Sequence, residues 1–180
     1  GEALVPFDEA QAREVVNRIA EAGAESVAVC FLHSYQNPSD EARMAALLAA
    51  LPKSVFVTAS HEISRRYGEY ERMSTTVLNA YIGPRTSRYV ANLEERLATD
   101  GFRGRLLIMQ SNGGLMSAET AKRVPVTMME SGPVGGVIAA ARVGTALGFD
   151  NTIAFDMGGT TAKASLIHGR EPSIAEGYYI

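Results

Sequence analysis

The sequence predicts an α/β fold, and three observations carry the prediction. Apolar runs of strand length alternate with segments of helical periodicity from Phe7 to Leu147. Helical segments stop at glycines, Gly23 and Gly148 among them, as helices commonly do. After the last helix the pattern changes to two short strands, Thr152–Asp156 and Lys163–Ile167, on either side of a glycine pair. Alternation implies a parallel sheet with helices on its faces, and the change near Asn151 implies the start of a second domain.

Each element has its own signal. Phe7 to Ala22 places Ala10, Val15, Ile19 and Ala22 at helical spacing and ends at Gly23. Val27 to Leu32 is a continuous apolar run with β-branched members, the pattern of a strand covered on both faces. Asn37-Pro38-Ser39-Asp40 is a turn that offers Ser39 as a helix cap, and Glu41 to Leu51 is rich in alanine and leucine. Ser54 to Ala59 reads as a second strand. Ser74 to Leu97 reads as helix with a break at Gly83-Pro84, where proline removes a donor and crowds the preceding turn. Arg105 to Met109 reads as a third strand, Ser117 to Arg123 as a short helix capped by Ser117, and Pro125 to Met129 as a fourth strand. A further helix runs from Val134 to Leu147, and His168-Gly169-Arg170-Glu171 turns toward another strand. There is no internal repeat and no low-complexity tract.

Composition narrows the function classes. The 180 residues are 46% hydrophobic and 21% charged with a net charge of -3, an ordinary globular balance. Acids and bases are interspersed, so charge gives no support to nucleic-acid or membrane-surface binding. The single cysteine, Cys30, excludes an internal disulfide and fits a reducing compartment, hence a cytoplasmic location. No apolar run approaches the roughly 20 residues that span a bilayer, and a signal peptide is not expected from the opening residues. The chain opens at Gly1-Glu2-Ala3 and closes at Tyr178-Tyr179-Ile180, which reads as the start of a strand. It is expected to be an internal fragment of a longer protein.

The chemistry-bearing segment is Phe155-Asp156-Met157-Gly158-Gly159-Thr160-Thr161, which joins two strands. Adjacent glycines let backbone N–H groups approach an anion with no Cβ in the way, and they tolerate positive φ. Successive N–H groups in such a turn form a concave nest for phosphate oxygens, to which Thr160 and Thr161 add hydroxyls. Asp156, at the strand's end, is placed to hold a hydrated Mg2+ that neutralises phosphates. The competing reading is a plain hairpin turn, since short glycine motifs recur by chance.

From Glu130 to Leu166 the chain resembles the actin, sugar-kinase and heat-shock-chaperone superfamily. The corresponding features are Glu130-Ser131-Gly132-Pro133, the alanine-rich helix opening at Val134-Gly135-Gly136, and the turn at Asp156. A closer resemblance rests on several motifs in order. They are Tyr70-Glu71-Arg72-Met73-Ser74-Thr75-Thr76-Val77-Leu78-Asn79-Ala80-Tyr81, then Met109-Gln110-Ser111-Asn112-Gly113-Gly114-Leu115, then Ser131-Gly132-Pro133 and the Asp156 turn. Over nearly the whole chain these resemble the hydantoinase A/oxoprolinase family.

The resemblance implies ribonuclease-H-like, actin-like ATPase lobes: here the back half of lobe one and the first hairpin of lobe two. Residues 1–60 would close the family's N-terminal region, and 61–133 would continue lobe one in the main hydantoinase domain. Residues 134–150 would form the interlobe helix, and 151–180 would open lobe two. The first-lobe phosphate turn would lie upstream of Gly1. ATP and Mg2+ are the implied cofactors, bound by Asp156, Gly158, Gly159, Thr160 and Thr161, with Asp156 toward the metal. The implied reaction is ATP-dependent opening of a cyclic amide such as a hydantoin or 5-oxoproline. Phosphorylation of the ring carbonyl oxygen would make its carbon electrophilic toward water. A hydantoinase B-type subunit or domain is the implied partner. The alternatives are a subunit of an ATP-dependent ketone carboxylase, a small-molecule kinase, and a non-catalytic ATPase of the same fold. Lacking half of the nucleotide cleft, the isolated fragment is expected to be inactive.

One departure stands out. Family members often read Gly-Gly-Thr-Ser-Thr-Asp, where this chain reads Gly158-Gly159-Thr160-Thr161-Ala162-Lys163. Lys163 either meets a phosphate as a point charge or is a solvated strand residue, the reading slightly favoured. Ser111-Asn112-Gly113-Gly114 ends a strand, where open α/β sheets place ligands, and reads equally well as a turn that needs glycine. The resemblance makes Arg72 and Asn79 candidates for the substrate side, although a helix start with a charged first turn explains their neighbourhood as well. Glu130 is the implied coupling residue, with Gly132 and Pro133 as a hinge or an ordinary strand-to-helix turn. The pair Gly135-Gly136 is costly inside a helix, and close packing or a hinge would explain it. His33, His61 and His168 show no ligand spacing, and no Gly-x-Ser-x-Gly elbow supports a serine nucleophile.

Overall fold

The computed structural model describes residues 5–51 and 55–173. They form two compact units, the first holding the chain to Gly104 plus Ala118–Val126, the second Arg105–Ser117 plus the chain from Thr127. Both mix helix and strand.

In the first unit, α1 (Glu9–Glu21) is capped by Asp8, whose carboxylate accepts from the N–H groups of Ala10 and Gln11 at 2.9 and 3.1 Å. The chain reverses at Gly23, φ +66°, into β1 (Ser26–Val29). β1 pairs in parallel with β2 (Phe56–Ala59), Ser26 opposite Phe56. Between them runs α2 (Ser39–Ala49). Ala12 and Val16 of α1, Val29 of β1, and Met44 and Leu48 of α2 close a core sealed by Phe7, Ile19, Val27 and Val57.

Three expectations change here. β1 stops at Val29, and Phe31 and Leu32 are exposed rather than covered on both faces. Ser39 is the first helical residue instead of the cap; its own N–H is satisfied by the Asn37 side chain at 3.2 Å. The expected start of the second strand at Ser54 lies outside the described residues.

After the single turn α3 (Ser60–Ile63) comes α4 (Glu69–Thr99), 31 residues without interruption. The break expected at Gly83-Pro84 does not occur. The residue before a proline is normally driven from helical geometry partly by a clash with its own Cβ, and Gly83 has none. A Cβ at Gly83 would stand 2.1 Å from the Phe56 ring, so the same glycine lets α4 lie against β2. The helix begins earlier than expected, and Ser74-Thr75-Thr76 are interior. Thr75 and Thr76 turn their hydroxyls back onto the carbonyls of Glu71 and Arg72 at 2.8 and 2.6 Å. The helix α5 (Ala118–Arg123) follows Ser117 and packs on α4.

In the second unit, β3 (Leu107–Met109) and β4 (Leu115–Ser117) form an antiparallel hairpin. Pro125–Met128, whose first two residues belong to the first unit, is a turn of 3-10 helix where a fourth strand was expected. Proline presets a helical φ and withholds the donor a ladder would need, and so short an apolar run carries no period to decide the matter. Then come α6 (Ser131–Ala146), β5 (Thr152–Met157), β6 (Ala162–His168) and β7 (Glu171–Pro172), the strands meandering antiparallel in that order. Among the described residues only β1 and β2 pair in parallel, so the expected extended parallel sheet is replaced by separate small sheets. Gly144 of α6 comes so close to β5 that a Cβ would sit 2.8 Å from the Thr152 methyl. Of the glycine pair, Gly135 abuts the sulfur of Met109, whereas Gly136 faces open space. The ends Gly1-Glu2-Ala3 and Tyr178-Tyr179-Ile180 lie outside the described residues.

Candidate functional site

Strand alternation builds the site on the second unit. Ala154 of β5 and Ile167 of β6 face inward onto Ala141, Val137 and Ala140 of α6. Asp156, two residues beyond Ala154, therefore lies on the α6 side, and Lys163 stands directly across the ladder from it. Both line a groove of about 270 Å3 together with Pro133, Gly136 and Val137 near the start of α6. The opposite face carries Ile153, Phe155, Met157 and Leu166, each about two-thirds exposed, so the hairpin has one packed and one uncovered side.

The tip of the hairpin is open. Every residue from Asp156 to Ala162 is exposed. Gly158 donates its N–H to the Thr161 carbonyl at 2.9 Å, closing the turn, so this glycine does not offer a free amide as expected. Neither Gly158 nor Gly159 takes a left-handed backbone. The N–H groups of Gly159, Thr160 and Thr161 and both threonine hydroxyls have no partner among the described residues. A Cβ at Gly159 would meet nothing within 4 Å. The fold of this chain does not require glycine there, whereas close approach of a ligand would. Three open amides, two hydroxyls and the carboxylate of Asp156 fit a phosphate with a hydrated divalent cation, an ion that takes most of its oxygens from water and phosphate. Among the described residues no three or more His, Cys, Asp or Glu side chains come together.

Glu130 immediately precedes α6 in the left-handed region, φ 64°, and its carboxylate is ion-paired with the Lys163 ammonium. Lys163 is thus not a freely solvated strand residue. Gly132 and Pro133 occupy the first turn of α6. Ser111-Asn112-Gly113-Gly114 is the turn between β3 and β4. Asn112 accepts from the Gly114 N–H at 2.8 Å, and Gly113 has φ +84° in a place where a Cβ would stand 2.9 Å from Ile138. The Ser111 hydroxyl donates to the carbonyls of Thr127 and Met129. All four residues thus have a structural occupation.

In the first unit, Arg72 and Asn79 are 1% and 0% exposed. The Arg72 guanidinium donates to the Ser60 hydroxyl and the Phe31 carbonyl at 3.0 Å each, to the Arg66 carbonyl at 3.3 Å, and to Glu69. Asn79 donates to Thr58 and to the Arg123 carbonyl, and accepts from the Val126 N–H. Each one ties several segments together, and their polar atoms are spent inside this unit.

Sequence reasoning missed the centre of that network. Glu41 is fully buried, and its oxygens accept from the Phe31 N–H, the Ser60 hydroxyl, and the N–H and ring Nδ1 of His61, at 2.6 to 3.0 Å. Burial pushes its pKa up, but those hydrogen bonds outweigh it and hold the carboxyl below its ordinary value. An acid in the first turn of a helix usually points to water, and nothing in the spacing separated Glu41 from that pattern.

Comparison with known proteins bears on both units. The family model described as hydantoinase/oxoprolinase matches residues 72–180, and the hydantoinase/oxoprolinase N-terminal region matches residues 1–51. The chain is 39% identical over its whole length to 26% of an uncharacterized protein of Methanocaldococcus jannaschii. It is 35% identical to the caprolactamase alpha subunit of Pseudomonas jessenii, over 94% of this chain and 24% of that one. Among solved structures, nucleotide-free acetone carboxylase, described in connection with ATP-dependent acetone carboxylation, superposes with a TM-score of 0.82 at 29% identity. That match covers 95% of this chain and 25% of the other. The chain therefore spans about a quarter of the length of these relatives.

Proposed function

The chain belongs to the hydantoinase/oxoprolinase family, and from that premise we propose that it is part of an ATP-dependent hydrolase that opens cyclic amides. The observation that carries the proposal is the turn Gly158–Thr161: exposed, with three consecutive N–H groups that have no partner among the described residues, beside Asp156. In this reading Gly159, Thr160 and Thr161 hold phosphate oxygens of ATP, and Gly158 shapes the turn. Asp156 faces a hydrated Mg2+, and α6 is the helix between two actin-like lobes. ATP supplies the phosphoryl group that turns an unreactive amide carbonyl into an electrophile for water. Arg72 and Asn79 act on the substrate side by fixing the loops they tie together. The resemblance to a caprolactamase subunit supports a lactam-like substrate and a partner subunit, proposed to be of hydantoinase B type. A cytoplasmic location follows as a proposal from the lone Cys30; among the described residues no helix is long and apolar enough to cross a membrane.

The match to acetone carboxylase favours a second reading, a subunit of an ATP-dependent ketone carboxylase. One experiment separates them: phosphate release by the full-length protein with its partner, supplied with ATP and hydantoin, 5-oxoproline, a lactam, or a ketone with bicarbonate. The first reading expects release stimulated by a cyclic amide together with the ring-opened acid. Stimulation by ketone and bicarbonate alone replaces it with the second.

A further inference from the structure

We propose that Lys163 is itself a phosphate ligand of this site, neutralised by Glu130 until a polyphosphate takes the ammonium from it; the idea rests on the phosphate reading of the turn. Lys163 lies two residues beyond Thr161, opposite Asp156 across the ladder, and lines the same groove. Its position and its charge therefore belong to the site, although a lysine stands where the family pattern carries an acid.

The magnitudes favour exchange. The Lys163–Glu130 pair is half open to water, with side chains 39% and 35% exposed. Pairs so open to water are weak, because both charges stay largely hydrated. Glu130 offers the ammonium a single negative charge, whereas a polyphosphate offers several and draws it more strongly. Glu130, moreover, holds a left-handed backbone that a residue with a side chain rarely adopts. Its carboxylate acts as a built-in substitute anion at the ammonium. When a phosphate displaces it, the residue that leads directly into α6 loses its anchor on β6. Occupancy of the phosphate site would thereby reach the start of the helix.

The test is calorimetric titration of the full-length protein with Mg-ATP. Lys163→Met should weaken binding about tenfold or more, and Lys163→Arg, which keeps the charge, should recover most of the loss. Glu130→Gln should tighten binding severalfold, because the competing anion is gone while Lys163 stays in place. Asp156→Asn tests the underlying reading separately. Wild-type affinity in Lys163→Met, alongside a loss in Asp156→Asn, removes Lys163 from the site and leaves the turn in place. Unchanged or weaker binding in Glu130→Gln overturns the competition, even should Lys163→Met fail to fold. Wild-type affinity in both Asp156→Asn and Lys163→Met overturns the inference and the phosphate reading together.

Discussion

Glu41, Ser60, His61 and Arg72 bury a carboxylate and a guanidinium that meet through one serine hydroxyl. Such a network stabilises only while every member is satisfied. The folded pKa of Glu41 lies below the ordinary 4.5. Its contribution is therefore fully present above that value and is lost as pH falls through the folded pKa. Denaturant unfolding followed from pH 7 to pH 3 should show stability falling at the acid end, with a smaller fall in Glu41→Gln. That variant should also lose about 2 kcal/mol at neutral pH, since an amide cannot accept from every donor the carboxylate serves. Arg72→Met should cost about 3 kcal/mol, because it leaves the buried Ser60 hydroxyl and the Phe31 carbonyl without their donor. At the exposed turn the expectation is opposite in kind. Asp156→Asn should leave the unfolding free energy within about 0.5 kcal/mol of wild type, and should lower ATP-dependent turnover of the full-length protein by about a hundredfold.

At the scale of elements, Gly83 decides how α4 and β2 meet. Replacing it by alanine improves helix propensity by up to about 1 kcal/mol, but the new methyl would stand 2.1 Å from the Phe56 ring. Overpacking of that kind typically costs about 1–3 kcal/mol. Gly83→Ala should therefore destabilise in denaturant melts, and Phe56→Leu in the same chain should recover part of the loss. A more stable Gly83→Ala protein would mean that the ring moves aside freely. This glycine also marks where reading the sequence fell short. Spacing located α1, alanine- and leucine-rich composition α2 and α6, and strand-length apolar runs about a glycine pair the β5–β6 hairpin, each to within a few residues. A proline inside α4 reads as a break unless the contact that needs Gly83 is known, and that contact comes from β2, 27 residues away in sequence. The same holds for the sheets: alternation of strand and helix was legible, but pairing partners are not written in any one segment. At the candidate site, the exposed turn between two strands, with Asp156 at its edge, was legible from the local sequence. The Lys163–Glu130 pair and the Glu41 network join residues 33 and 20 apart and left no local trace.

At the scale of the whole molecule, this chain is about a quarter of the proteins it resembles, and the second unit leaves Ile153, Phe155, Met157 and Leu166 uncovered on one face of its hairpin. A two-lobe nucleotide site draws phosphate contacts from both lobes, so these 180 residues alone should bind ATP no tighter than about the millimolar range. Micromolar affinity in calorimetry would contradict the two-lobe reading. In the proposed function, the open amides at the tip of the hairpin carry the phosphates. Gly159→Val in the full-length protein tests it most directly, since a Cβ there meets nothing in the fold yet would stand between the backbone and a phosphate. The melting temperature should be unchanged, with ATP-dependent turnover reduced at least a hundredfold. A folded Gly159→Val protein that turns over ATP at the wild-type rate would contradict it.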